Sequence, residues 1–178
     1  KREKLSQEDK GSLPEFGKNG RQSVEGRPSP LSFEEAQEGW ITNKTLKFIK
    51  QSLEEDKPFF AHVSFPRPHQ CTAPSEPFWS MYDEAELTLP PNADYEMNGK
   101  APHLRQAAEQ WRQGDWTLLE PKTFAAGRMR KLHGYLGALS QVDHDVGLFL
   151  AWLRDHGIED VTIVIYTADH GDYACELG

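Results

Sequence analysis

The chain's 178 residues are 37% hydrophobic and 27% charged, with a formal net charge of −8, and that length is usual for one domain. Residues 1–50 carry ten Lys/Arg against eight Asp/Glu (+2), so residues 51–178 carry ten against twenty (−10). An acidic body argues against nucleic acid as a partner, yet it leaves room for an anionic small substrate, because a bound divalent ion can reverse the local field.

Residues 1–31 mix charge, Gly and Pro without period and read as a loop or extended arm. In residues 32–66, Ser32-Phe33-Glu34-Glu35 has the form of a capping box. Trp40, Ile41, Thr45, Phe48, Ile49 and Leu53 then recur at helical spacing to about Glu55, and Pro58 disfavours helix in the residue before it. Phe59 to Phe65 reads as a short apolar strand, with His62 hydrogen-bonded in or beside the core. Pro66, Pro68, Pro74 and Pro77 exclude a central strand in the next stretch. That stretch is therefore a stiff loop at the strand's carboxyl end, a good mount for a functional side chain. His69 is the candidate there and Arg67 the second; a plain surface histidine is the alternative for His69.

Residues 67–121 form this loop and an insertion, with a turn or short helix at Phe78–Tyr82 and a weak helix at His103–Trp111. Trp79, Trp111, Trp116 and Phe124 are expected to pack the insertion on the body. Within residues 122–178 a long helix is expected from about Pro121 to His156, stopped by Gly157. Its apolar stripe is Leu132, Tyr135, Leu136, Leu139, Val142, Val146, Phe149, Leu150 and Leu153. Asp143 sits at the stripe's edge and needs a partner if buried, while His133, His144 and His156 read as surface residues. Cys71 and Cys175 make no disulfide framework and read as small semi-buried side chains. No secretory leader or apolar run of membrane-span length is visible.

Val161 to Tyr166 is a nearly continuous apolar run, as expected of a central parallel strand covered on both faces. Ligands bind just beyond the carboxyl ends of such strands, where Asp169 and His170 stand. Neighbours on a straight strand point to opposite faces, so the two reach one ion only if the chain turns. Gly171 permits that turn. A hydrogen-bonded Asp-Gly-type turn without metal is the alternative. Helix, strand, long excursion, helix, strand suits a layered α/β architecture.

Four stretches together resemble the sulfatase branch of the alkaline-phosphatase-like hydrolases. Lys57 to His69 (KPFFAHVSFPRPH) looks like the family's KPFF strand and proline–histidine loop, and Phe78 to Asp83 (FWSMYD) is similar to the segment that follows it. Tyr135 to Gly147 (YLGALSQVDHDVG) looks like the long family helix, and Ile163 to Gly178 like its strand, DHG turn and trailing E-x-G. The resemblance implies an α/β alkaline-phosphatase-like layered fold, with a mostly parallel central sheet flanked by helices. Residues 1–178 would be a partial catalytic domain, incomplete at both ends, and the remainder of the same enzyme would complete the fold.

Carried over by resemblance, Asp169 and His170 match metal ligands. His69 matches the histidine that contacts the sulfate ester and helps stabilise the leaving oxygen, with Arg67 as a second substrate contact. Family sulfatases generally use calcium; an imidazole ligand leaves manganese or zinc open. The family's formylglycine nucleophile arises in a Cys/Ser-x-Pro-x-Arg motif. Cys71-Thr72-Ala73-Pro74-Ser75 has its proline one place late, and Cys175-Glu176-Leu177 has none, so the nucleophile is expected upstream of Lys1. The early Asp-Asp ligands and a later lysine are also missing, and Leu177 stands where relatives often have His or Arg.

The resulting expectation is a metal-dependent sulfuric ester hydrolase acting on small-molecule or carbohydrate sulfate esters, with this segment inactive alone. The alternative is a phosphonate monoester or phosphodiester hydrolase of the same superfamily. A non-catalytic binding relative is the third reading. Periplasmic, secreted and cytoplasmic locations are all compatible with a leader that is not visible.

Overall fold

The computed structural model describes residues 28–69, 72–94, 96–113 and 123–175. Cys71, Trp116, Leu177 and most of the expected arm lie outside them, as does the side chain of Trp111. Among the described residues there are three helices: α1 (Gln37–Glu54), α2 (Pro102–Arg112) and α3 (Phe124–Asp155). Single 3-10 turns stand at Glu84–Glu86 and Glu159–Val161.

α1 starts about one turn beyond the Ser32 motif. The Ser32 hydroxyl does accept from the Glu35 amide at 3.4 Å, but residues 33–35 make a turn instead of helix. That turn folds back over Gly39, where a Cβ would strike the Phe33 carbonyl oxygen and come within 3.0 Å of Glu34 Cα. α3 opens with the Thr123 hydroxyl accepting from the Ala126 amide at 3.2 Å, an N-cap that satisfies one orphan donor.

Both long helices close in the same way. At the end of α3, Gly157 adopts φ +66°, its amide donates to Arg154 O, and Ile158 N donates to Leu153 O. This is the Schellman arrangement expected of a glycine at that position. α1 repeats it with Asp56 at φ 52° and Lys57 N donating to Ser52 O. Each helix is thereby turned straight into one of the two apolar segments.

Those segments correct the expected sheet. Residues 59–65 and 161–166 form no β-ladder, and there is no strand among the described residues. Much of their apolar surface is open: Phe60 is 89% exposed, Ile163 90% and Ile165 81%, while Phe59, Ala61, Val63 and Phe65 are half-buried. His62 is exposed as well, not set in a core. The physical reason is that a central parallel strand needs partners on both edges and layers on both faces; the described residues supply no strand partner and only partly cover one face of 59–65. The local β preference of Val, Ile and Phe survives only as extended backbone.

The core lies between α1, α3 and the proline-rich loop. α1 packs on α3, with Ala36, Ile49, Phe78, Leu132, Ala138, Val142 and Leu153 buried. The buried face of α3 differs from the expected stripe, since Leu139 is 39% exposed while Gly127, Gly134, Gly137, Gln141 and Asp145 are covered. Loop backbone lies directly against Gly134 and Gly137, which larger side chains would prevent. His133 is also buried, contrary to the surface expectation. Its Nε2 hydrogen-bonds Trp79 O at 2.9 Å, and its ring packs on Trp79 at 4.3 Å between centroids. His144 joins Phe33 and Phe78 in an aromatic cluster, with centroids 4.9 and 5.4 Å away.

Candidate active site

The first half of the site is the loop after residues 59–65. Phe65 anchors its start against Phe149 of α3, with ring centroids 6.3 Å apart. Arg67 then turns inward. Its Nε meets Glu38 Oε2 at 3.0 Å, and its Nη1 donates to Ala73 O at 2.8 Å and to Gln141 Oε1 at 3.3 Å. His69 lies between these ties, exposed, with its amide donating to Pro66 O at 3.1 Å. Ser75 N donates to Gln141 Oε1 at 3.0 Å, fixing the far side of the loop to α3. Arg67, expected as a second substrate contact, therefore has its guanidinium engaged within the protein.

The second half is the bend at Asp169, after residues 161–166. His170 N donates to Asp169 Oδ1 at 2.9 Å, and His170 Nδ1 lies 2.7 Å from Gly171 O. A carbonyl only accepts, so Nδ1 carries the proton, and in the neutral ring Nε2 is the bare nitrogen. That Nε2 stands 3.7 Å from Asp169 Oδ2. The turn expected at Gly171 is not what brings the two side chains together: Gly171 has no positive φ, and the chain bends at Asp169 instead. The Gly171 carbonyl bond and then the Asp169 carboxylate raise the His170 pKa above its usual range. Both side chains are largely open to solvent. No group of three or more metal-ligating side chains occurs among the described residues, so this pair stands as two donors.

α3 carries both halves. Thr72, three positions beyond His69, lies on Gly134, while Asp172, two positions beyond His170, lies 3.9 Å from Lys131 Nζ. Lys131 and Gly134 are one turn apart, about 4.5 Å along the axis at 1.5 Å per residue. Tyr135, next to Gly134 on α3, is half-buried; burial and then the Asp172 charge push its phenol pKa up. Residues 172–175 turn the chain back, with Ala174 and Cys175 at φ 45° and 74°. This seats the buried Cys175 thiol 3.4 Å from Arg128 O.

The residues that sequence reasoning passed over are Glu38, Thr42, Gln141 and Asp145, all buried between α1 and α3. The Thr42 hydroxyl donates to Asp145 Oδ1, while Asp145 Oδ2 has no hydrogen-bond partner among the described residues. Asp143, singled out from the sequence, is exposed. A signal was present: Glu38/Thr42 and Gln141/Asp145 are polar pairs at i, i+4, a spacing that puts each pair on one helix face.

Among solved structures, a phosphonate monoester hydrolase from Silicibacter pomeroyi superposes with a TM-score of 0.70 over 97% of this chain and 34% of that one, at 25% identity. The class is therefore that of the alkaline-phosphatase-like hydrolases. More narrowly, the Sulfatase family profile matches residues 10–176, and the chain belongs to that family. It is 28% identical over 133 residues to an arylsulfatase of Clostridium perfringens, covering 75% of this chain and 26% of that protein. It is also 28% identical over 169 residues to the multifunctional alkaline phosphatase superfamily protein PehA of Trinickia caryophylli, covering 90% and 32% respectively. The chain spans about a quarter to a third of the length of these relatives.

Proposed function

We propose that this chain forms the central part of a metal-dependent hydrolase that cleaves sulfate esters, with a formylglycine nucleophile contributed from outside residues 1–178. The observation that carries the metal reading is the Asp169–His170 pair. Oδ2 and the bare Nε2 lie 3.7 Å apart, less than the sum of two metal–ligand bonds, which is about 4 Å or more. One divalent ion can therefore touch both. The hydrogen bond to Gly171 O orients the ring, a role that outer contacts commonly have at metal-ligating histidines.

Asp169 and His170 would hold the ion, calcium by family habit, with manganese or zinc compatible with the imidazole. When bound, it would draw charge from the nonbridging oxygens of the ester. His69 is the residue for the ester and the leaving oxygen: an imidazole N–H can donate where negative charge accumulates. Such donors are effective only where water is excluded. The openness of the pair and the exposed apolar side chains of segments 59–65 and 161–166 support a further element of the proposal. The remainder of the same enzyme covers these segments and completes the metal site with further carboxylates.

Phosphonate monoesters and phosphodiesters are the second reading, favoured by the phosphonate monoester hydrolase that matches 97% of this chain. The test is to assay the whole protein on 4-nitrophenyl sulfate and on a matched phenylphosphonate ester, before and after chelation. Faster, chelator-sensitive sulfate turnover supports the proposal; faster phosphonate turnover replaces the substrate. Asp169→Asn and His170→Ala should each lower bound metal measured by elemental analysis, and full metal occupancy in both would remove the pair from the site. Residues 1–178 alone should be inactive, and turnover of 4-nitrophenyl sulfate by that piece would overturn the placement of the nucleophile.

A further inference from the structure

Arg67 and Glu38 form an ion pair that is hardly exposed: the Glu38 side chain shows 1% of its surface and that of Arg67 15%. Placing a guanidinium and a carboxylate in the interior requires that their hydrogen-bonding groups find partners, and here they do. Arg67 reaches Glu38, Ala73 O and Gln141 Oε1. Gln141, fully buried, accepts from Ser75 N and donates from Nε2 to Glu38 Oε2 at 3.5 Å. The ring Glu38–Arg67–Gln141 thus closes on itself and ties α1, α3 and both sides of one loop.

A well-packed apolar pair could hold two helices together at least as well as a buried ion pair. What the guanidinium adds is direction, because its rigid planar fork sets where each acceptor must lie. Here the fork spans the loop from Arg67 to the Ala73 carbonyl, and His69 is inside the span. Gln141 holds the same loop again at Ser75. We propose that Glu38 and Gln141 are positioning residues that act through Arg67 to set His69 for its work on the leaving oxygen. This rests on the role given to His69 above. Neither side chain touches the substrate in this arrangement; each acts by holding backbone.

The experiment is a set of double-mutant cycles in the whole enzyme, using 4-nitrophenyl sulfate (a good leaving group) and phenyl sulfate (a poor one). Glu38→Gln and Gln141→Met keep side-chain size while removing the charge or the acceptor. A misplacement of about 1 Å can cost roughly 10²-fold in rate. Each variant should therefore lose between about tenfold and 10²-fold in kcat on phenyl sulfate, less on 4-nitrophenyl sulfate, with KM little changed. In a His69→Ala background the same substitutions should have no further effect, since residues acting as a unit are non-additive. Arg67→Lys keeps the charge but loses the fork; it should behave alike and carries the test if the other two variants do not fold.

Losses that persist undiminished without His69, or that are equal for the two leaving groups, would make the network merely structural while leaving the role of His69 intact. If His69→Ala itself leaves both rates unchanged, the role of His69 and this proposal fall together.

Discussion

Gly137→Ala tests whether α3 is the mould on which the His69 loop is cast. An added Cβ would lie 2.8 Å from Phe78 O and 2.8 Å from Pro74 Cγ. Ordinary contact begins near 3.4 Å, so each neighbour must give by 3.4 − 2.8 = 0.6 Å, and one of them is backbone. At Gly147 in the same helix, an added Cβ would meet nothing within 4 Å among the described residues, so Gly147→Ala is the control. Both substitutions gain the helix propensity of Ala over Gly, about 0.8–1.0 kcal/mol, and this cancels in the comparison. The difference is the overpacking term alone, about 1–3 kcal/mol. Gly147→Ala should thus raise thermal stability, and Gly137→Ala should be neutral to about 2 kcal/mol destabilising. Differential scanning fluorimetry on the whole protein reads the stability, and kcat/KM on a sulfate ester reads the displaced loop. Gly137→Ala as stable as Gly147→Ala, with unchanged kcat/KM, would refute the reasoning.

Burial raises the pKa of the Asp145 carboxyl above its ordinary 3.8, against the opposing hydrogen bond from Thr42. The folded protein then holds this proton more tightly than the unfolded chain, so the contribution is present below the ordinary value and lost as pH rises through the raised one. Asp145→Asn should gain in melting temperature relative to wild type as pH increases across that window; a difference constant with pH would contradict it. Burial likewise raises the Cys175 thiol pKa, and its side chain is covered. Iodoacetamide followed by peptide mapping should label Cys175 after urea denaturation and spare it in the native protein, and equal labelling in both states would place the thiol outside the core. Thr123→Ala removes the cap of α3 and should cost about 1 kcal/mol in thermal unfolding, whereas no loss would show the cap contributes nothing.

Where local chemistry dominates, the sequence was enough. The helices over residues 37–54 and 124–155 and the stop at Gly157 follow from periodicity, glycine and backbone geometry within a few residues. Asp169 and His170 approach one another because they are adjacent, although the chain bends at Asp169 and not at Gly171. Membership of the family was legible in the same way, from short stretches in order. The sheet was not, since a strand is completed by hydrogen bonds to other strands, and residues 59–65 and 161–166 have none among the described residues.

Contacts distant in sequence were decided only by tertiary structure. Arg67 looked free to meet a substrate, yet Glu38 and Gln141 stand beside it and engage its guanidinium. His133 looked like a surface residue, but Trp79 packs over it. Asp145, not Asp143, is the buried carboxylate, because the face of α3 that turns inward is set by what packs there. Glycines and polar side chains on that face admit a loop and hold it, so apolar periodicity pointed elsewhere.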